Sequence, residues 1–193
     1  MEPVKDINGY AWALSDQVGP DIKALLGQIP SRWGRMTPLC RVLIVEVGRL
    51  LCKRGILETG QRCNDRGLQV GLIGGTRNGS LHTDLSFIRT MEDGPGLASP
   101  ALFGYTLPNI PLAEAASHYG LVGPVYALFE VTNPFEAAVR EARQLLLHQN
   151  DLSMMIACEF DHYACRDQDE KLLATLTLVD KDADSYSDLS QVE

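Results

Sequence analysis

Toward the C-terminus, Cys158, Asp161, His162 and Cys165 form a Cys-x3-His-x2-Cys pattern. Thiolate and imidazole are zinc ligands, so Cys158, His162 and Cys165 make a candidate metal site. A structural zinc site takes four ligands, commonly as two closely spaced pairs, and this pattern offers three. Cys158 also ends an apolar run and reads equally well as a buried thiol. Gly71, Gly74 and Gly75 invite a phosphate-loop reading, but neither Gly-x-Gly-x-x-Gly nor Gly-Lys-Ser/Thr occurs. Close packing of a strand against its neighbours is the alternative use for such glycines. His118, on a helical stretch, reads as a surface or hydrogen-bonded histidine rather than an acid–base group. No motif calls for a cofactor.

These residues must be positioned by elements that the sequence pattern outlines. Ile7 to Leu14 reads as a short first strand, leading to a Ser15-Asp16 cap and a short helix that ends near Gly27. Thr37-Pro38 is a stronger helix start, a capping hydroxyl followed by proline in the first turn. Leu39, Leu43, Val47, Leu50 and Leu51 then form an apolar stripe as far as Gly55. Leu68 to Gly75 reads as a buried strand, and the Gly-, Pro- and Ser-rich stretch from Thr76 to Pro111 as a long functional loop or a set of short helices. Leu112 to Tyr119 is helical in pattern, and Val125 to Val131 is an apolar strand opened by Gly123-Pro124. Asn133-Pro134-Phe135-Glu136 combines a cap, a first-turn proline and a capping-box glutamate, which predicts a helix to about His148. Apolar runs at Leu152 to Cys158 and Lys171 to Val179 complete the set. Strands alternating with helices predict an α/β fold over residues 1–180, followed by an acidic, flexible tail over 181–193.

Seventeen basic against 25 acidic residues leave a formal net charge of −8, and the longest basic cluster is Lys53-Arg54. That argues against nucleic acid as a partner. No apolar run approaches the roughly 20 residues of a membrane span, and the N-terminus lacks the pattern of a secretory signal. With five scattered cysteines, the expectation is a cytoplasmic protein with reduced thiols.

Several segments, in order, resemble a β-ketoacyl synthase. Arg35-Met36-Thr37 before a long helix is similar to that family's Arg-Met segment, and Val70 to Thr76 to its second-strand glycine run. Leu121-Val122-Gly123-Pro124 resembles the Gly-Leu-x-Gly-Pro before its nucleophile strand, and Asn150-Asp151 and Leu173 to Val179 resemble the lead-in and last strand of its first half. The resemblance implies the N-terminal half of a thiolase-like fold: a mostly parallel sheet with helices on both faces. It also implies that the family's nucleophilic cysteine falls at Thr132, with no cysteine within 25 positions on either side. A threonine hydroxyl needs an adjacent base to act as a nucleophile. His82, His118, His148 and His162 match none of the family's second-half catalytic motifs. The chain therefore resembles the noncatalytic chain length factors more than a condensing enzyme. As such it would serve fatty-acid, polyketide or aryl-polyene type biosynthesis.

In the family the nucleophile strand lies at a two-fold axis, which implies an interface at Val125, Tyr126, Ala127, Leu128, Phe129 and Val131. The implied partner is a second copy, the preferred reading, or a full-length ketosynthase, with an acyl carrier protein as a further possibility. The helix from Pro134 carries Phe135, Ala138, Val139, Ala142, Leu145 and Leu146 on one side, with Ala137 and Leu147 interrupting a polar remainder. It expects a sheet beneath and water or a polar partner above, as suits a half-fold. Two other functions stand beside this one. One is an acyl-chain or small-molecule binding module using residues 76–111 as a lid. The other is an enzyme of another class using Thr132 or the Cys158/His162/Cys165 site.

Overall fold

The computed structural model describes residues 9–15, 17–92, 94–164 and 170–181. Six α-helices are found there: α1 Pro20–Leu26, α2 Pro38–Lys53, α3 Leu81–Arg89, α4 Pro100–Phe103, α5 Asn109–Tyr119 and α6 Pro134–His148. Four strands, β1 Val70–Thr76, β2 Val125–Phe129, β3 Met154–Tyr163 and β4 Lys171–Asp180, form one sheet in the order β2-β1-β3-β4. β1 runs parallel to β2 and β3, and β4 returns antiparallel to β3. This is the expected mostly parallel sheet with helices on both faces.

Strand alternation divides the core in two. Leu72 of β1, Ile156, Cys158 and Phe160 of β3, and Leu172, Ala174 and Leu176 of β4 join α2 and α5 in the larger cluster. Ile73, Met155, Ala157 and Val179 face the other way, onto Ala138, Ala142 and Leu146 of α6. On α6, Ala138, Ala142 and Leu146 of the expected stripe are buried, Phe135, Val139 and Leu145 are half-buried, Pro134 and Ala137 are buried in addition, and Leu147 stands 78% exposed. The first turn of α6 lies so close to β1 that Ala137 is covered as well.

The Thr37 side chain caps α2 by accepting from the Cys40 amide at 3.5 Å, and proline at the first helical position follows it, as read from the sequence. Other boundaries are corrected. Residues 11–14 form a 3-10 turn rather than a strand. Buried Arg41 of α2 takes the Ala13 carbonyl at 3.0 Å and that of Ser15, just beyond the turn, at 2.8 Å. Ile7 and Asn8 lie outside the described residues. Helix α1 starts at Gly19-Pro20 rather than at Ser15-Asp16, and ends on Gly27 as expected. Asn133 precedes α6 without a side-chain cap bond. The 76–111 stretch resolves into α3, a 3-10 turn at Pro95–Leu97, and α4. β3 runs five residues past Cys158, because pairing with β4 continues to Tyr163↔Lys171. Of the expected tail, Lys181 is described, donating to Asn150 O at 3.1 Å, and 182–193 lie outside the described residues. Among the described residues no helix is long and apolar enough to cross a membrane.

Candidate functional site

Three parallel strands end on one side of the sheet, and the segments that follow them gather there, where α/β sheets commonly place their sites. After β1 comes the loop 76–80, after β2 the turn 130–133. After β3 the antiparallel return brings the residues just before β4 beside the end of β3.

Asp161, 1% exposed near the end of β3, organises this corner. Its Oδ1 accepts from Thr76 Oγ1 at 2.5 Å, Asn78 N at 2.7 Å and Gly79 N at 2.8 Å, and its Oδ2 from Arg77 N at 3.4 Å. A carboxylate thus fills the nest of amides that the loop would otherwise present to an anion. Gly79 turns with φ +57°, which favours glycine, and an added Cβ would also press on Pro108 at 3.2 Å. The next β3 residue completes the clamp, His162 N donating to Gly79 O at 2.9 Å.

The loop in turn holds the turn after β2. Arg77 donates to Val131 O and Thr132 O, both at 2.8 Å, and pairs with Glu159 at 3.4 Å. Burial raises the Glu159 pKa, with Arg77 acting against that rise. Thr132 itself is exposed, and its amide donates to Glu130 Oε1 at 2.9 Å. No described residue hydrogen-bonds its hydroxyl. One of the amides that could serve an oxyanion at the start of α6 is occupied by a carboxylate.

The sequence-predicted metal set does not assemble as read. Cys158 and His162 share a strand face four residues apart, roughly 13 Å along the strand, too far for one ion. Cys158 lies fully buried in the larger core, where burial pushes its thiol pKa up strongly. Cys165 lies outside the described residues. Cys40 and Cys63 are also buried free thiols, pushed up to about 12 and about 11 mainly by burial, so neither is a ready thiolate.

His162 instead meets two residues that sequence spacing did not single out. Its Nε2 lies 2.7 Å from Glu170 Oε1 and 3.3 Å from Nδ1 of His82, in the first turn of α3. His82 Nδ1 is 3.4 Å from the same Glu170 oxygen, and the two imidazoles meet edge to face at 4.3 Å. Burial holds the His162 pKa below the usual histidine value, with Glu170 opposing and His82 reinforcing the shift. Its Nδ1 is buried with no hydrogen-bond partner among the described residues. His118 is half-buried, and burial lowers its pKa too.

The six predicted interface residues divide by face. Val125 and Ala127 pack against the larger core, Tyr126 and Leu128 against the smaller, and Phe129 and Val131 stand 74% and 66% exposed. The Tyr126 hydroxyl bonds Glu141 of α6, and its pKa is pushed up to about 12 by burial and by that carboxylate. β2 is an edge strand, and alternation puts the amides of Val125, Ala127 and Phe129 on its outer side. Asn109 Oδ1 accepts from the Ala127 amide at 2.7 Å, blunting the middle of that edge. On the sheet's α5 side, Arg32, Tyr105, Ile110 and Glu114 line a cleft of about 500 Å³, a size that suits a small ligand.

No family model matches the sequence. No curated protein sequence matches it. Solved structures do. The ishigamide ketosynthase/chain length factor superposes with a TM-score of 0.63 at 19% identity, over 87% of this chain and 49% of that one. The ketosynthase ApeO in complex with its chain length factor ApeC, from Xenorhabdus doucetiae, gives a TM-score of 0.54 at 11% identity, over 85% and 73%. The ketosynthase of module 6 of the bacillaene synthase from Bacillus subtilis 168 gives 0.55 at 15%, over 92% and 31%. The chain thus spans about half the length of the first of these, 49%. Likeness at such low identity shows the fold alone: over most of its length this chain has the thiolase-like architecture of these ketosynthase and chain length factor structures.

Proposed function

We propose that the chain is a noncatalytic, ketosynthase-like subunit that pairs with a full-length ketosynthase, in biosynthesis of the fatty-acid, polyketide or aryl-polyene type. The observation that carries the reading is the turn after β2. There the nucleophile position implied by the resemblance is Thr132, whose hydroxyl has no described partner and whose amide is taken by Glu130. A hydroxyl nucleophile needs a base held on its oxygen and a free oxyanion donor; here no described residue bonds the hydroxyl, and the amide is committed to Glu130. Incubated with acetyl and malonyl thioesters, the purified chain is expected to gain no acyl mass in intact-protein mass spectrometry. A stable adduct mapped to Thr132 would overturn the noncatalytic reading.

A ketosynthase as partner, rather than a second copy, is favoured by two of the structural likenesses, in which ketosynthase and chain length factor occur together. The surface that suits pairing is the edge at β2, with Phe129 and Val131 exposed beside it. Because Asn109 occupies the Ala127 amide, the contact would rest on these side chains more than on a continuous ladder. Co-expressed with the ketosynthase encoded nearest to it, the chain is expected to co-purify in a one-to-one complex. Phe129→Asp should weaken that complex by at least about tenfold, as loss of an aromatic interface anchor does. Leu147→Asp, on the outer side of α6, should leave it unchanged. Pairing undisturbed by Phe129→Asp rules out this edge, and a chain that only self-associates rules out the ketosynthase partner.

A further inference from the structure

We propose that His82, His162 and Glu170 form a binding site for a divalent transition-metal ion of the zinc class, with one coordination position open to solvent. Among the described residues these three bring ligand atoms together from α3, from the end of β3 and from the residue before β4, all within 4.8 Å of one another. With metal–nitrogen and metal–oxygen bonds near 2.0–2.2 Å, neighbouring ligand atoms in a tetrahedral shell lie roughly 3.3–3.5 Å apart. His82 Nδ1 already stands 3.3 Å from His162 Nε2 and 3.4 Å from Glu170 Oε1.

The third separation, His162 Nε2 to Glu170 Oε1, is a hydrogen bond of 2.7 Å. Replacing its proton by an ion requires that pair to open by about 0.6 Å. Glu170, with a side chain 33% exposed, has room to move that far.

A hydrogen-bonded pair would account for His162 and Glu170 alone. It does not account for His82 Nδ1, which faces the same two atoms at distances too long for a strong bond and suited to a shared ion. The backbones behind the ligands are held in place. His162 N is tied to Gly79 O, and Ser86 Oγ donates to His82 O at 2.8 Å, so little ordering is left for the ion to impose.

Two imidazoles and one carboxylate select a borderline ion over calcium or magnesium, which take oxygen shells. The side chains of His82 and Glu170 are 28% and 33% exposed, which gives the ion a path in and leaves a position for water. Among the described residues His162 Nδ1 has no acceptor of the kind that usually buttresses a ligating histidine. Affinity should therefore be about 10–100-fold below that of a fully supported site.

The test is Zn2+ titrated into the full, reduced chain by calorimetry, with bound metal counted after dialysis. About one equivalent per chain is expected, and His82→Ala and Glu170→Gln should each weaken binding by at least about tenfold. Both residues are partly exposed, and circular dichroism of each variant confirms that it is folded. Zn2+ should also raise the melting temperature of the wild type, and the rise should vanish in Glu170→Gln. Absence of Zn2+ binding to the wild type overturns the proposal. So does binding that survives both substitutions, which would put the ion on the cysteines or elsewhere.

Discussion

Gly75→Ala is expected to destabilise the chain by at least about 3 kcal/mol, or to leave it unfolded. A Cβ on Gly75 would lie 1.8 Å from the Pro134 carbonyl oxygen, 2.4 Å from the carbonyl carbon and 2.9 Å from its Cα. All three are backbone atoms of the first turn of α6, so no side chain can rotate out of the way. The helix would have to lift off β1, exposing the cluster formed by Ile73, Ala138, Ala142 and Leu146. Gly34 provides the control: it is exposed, and an added Cβ there meets nothing within 4 Å. Gly34→Ala should change stability by no more than about 0.5 kcal/mol. Chemical denaturation of both variants reads the difference, and a Gly75→Ala chain within about 1 kcal/mol of wild type would show that α6 is not held where the structure puts it.

Asp161→Ala should cost about 3–5 kcal/mol, and its effect should concentrate in one loop. The carboxylate is buried and accepts from the Thr76 hydroxyl and from the amides of residues 77–79. Removing it leaves donors facing a cavity. The Thr76 hydroxyl still accepts from the Gly79 amide at 2.6 Å, which limits the loss. Asp161→Asn keeps one acceptor oxygen and should lose about half as much. Hydrogen exchange at Asn78 and Gly79 should accelerate in both variants before the rest of the sheet does. Unchanged protection at these two amides would remove Asp161 from its role as the anchor of this corner. Because Arg77 reaches from the same loop to the carbonyls of Val131 and Thr132, the turn after β2 should loosen with it.

Much of the architecture could be read along the chain because its cues are local. Thr37-Pro38 caps and starts α2 with bonds made inside one turn. Leu39, Leu43, Val47, Leu50 and Leu51 repeat at helical spacing, and all five are buried. β2 and α6 start within one residue of the Gly123-Pro124 and Asn133-Pro134 signals. Residues 11–14 form no strand for a non-local reason, since Arg41, 28 positions away, holds the Ala13 carbonyl that a ladder would have used. β3 continues past the apolar run through the mostly polar Glu159 to Tyr163, because antiparallel pairing with β4 keeps them extended.

The corner at the strand ends divides in the same way. Thr132 falls in the turn after β2, where counting along one strand from Gly123-Pro124 puts it. His162 was also visible, but in the wrong company, since Cys158 and Cys165 are near it in sequence whereas a strand carries Cys158 away along its own axis. His82 and Glu170 carried no signal. One is 80 residues distant in sequence and the other is brought close only by the antiparallel return of β4. Helix starts and strand faces follow from residue order because each depends on neighbours within a turn or a strand. Which carboxylate fills the loop, which glycine admits α6 and which three side chains converge were settled only when parallel pairing set the ends of β1, β2 and β3 side by side.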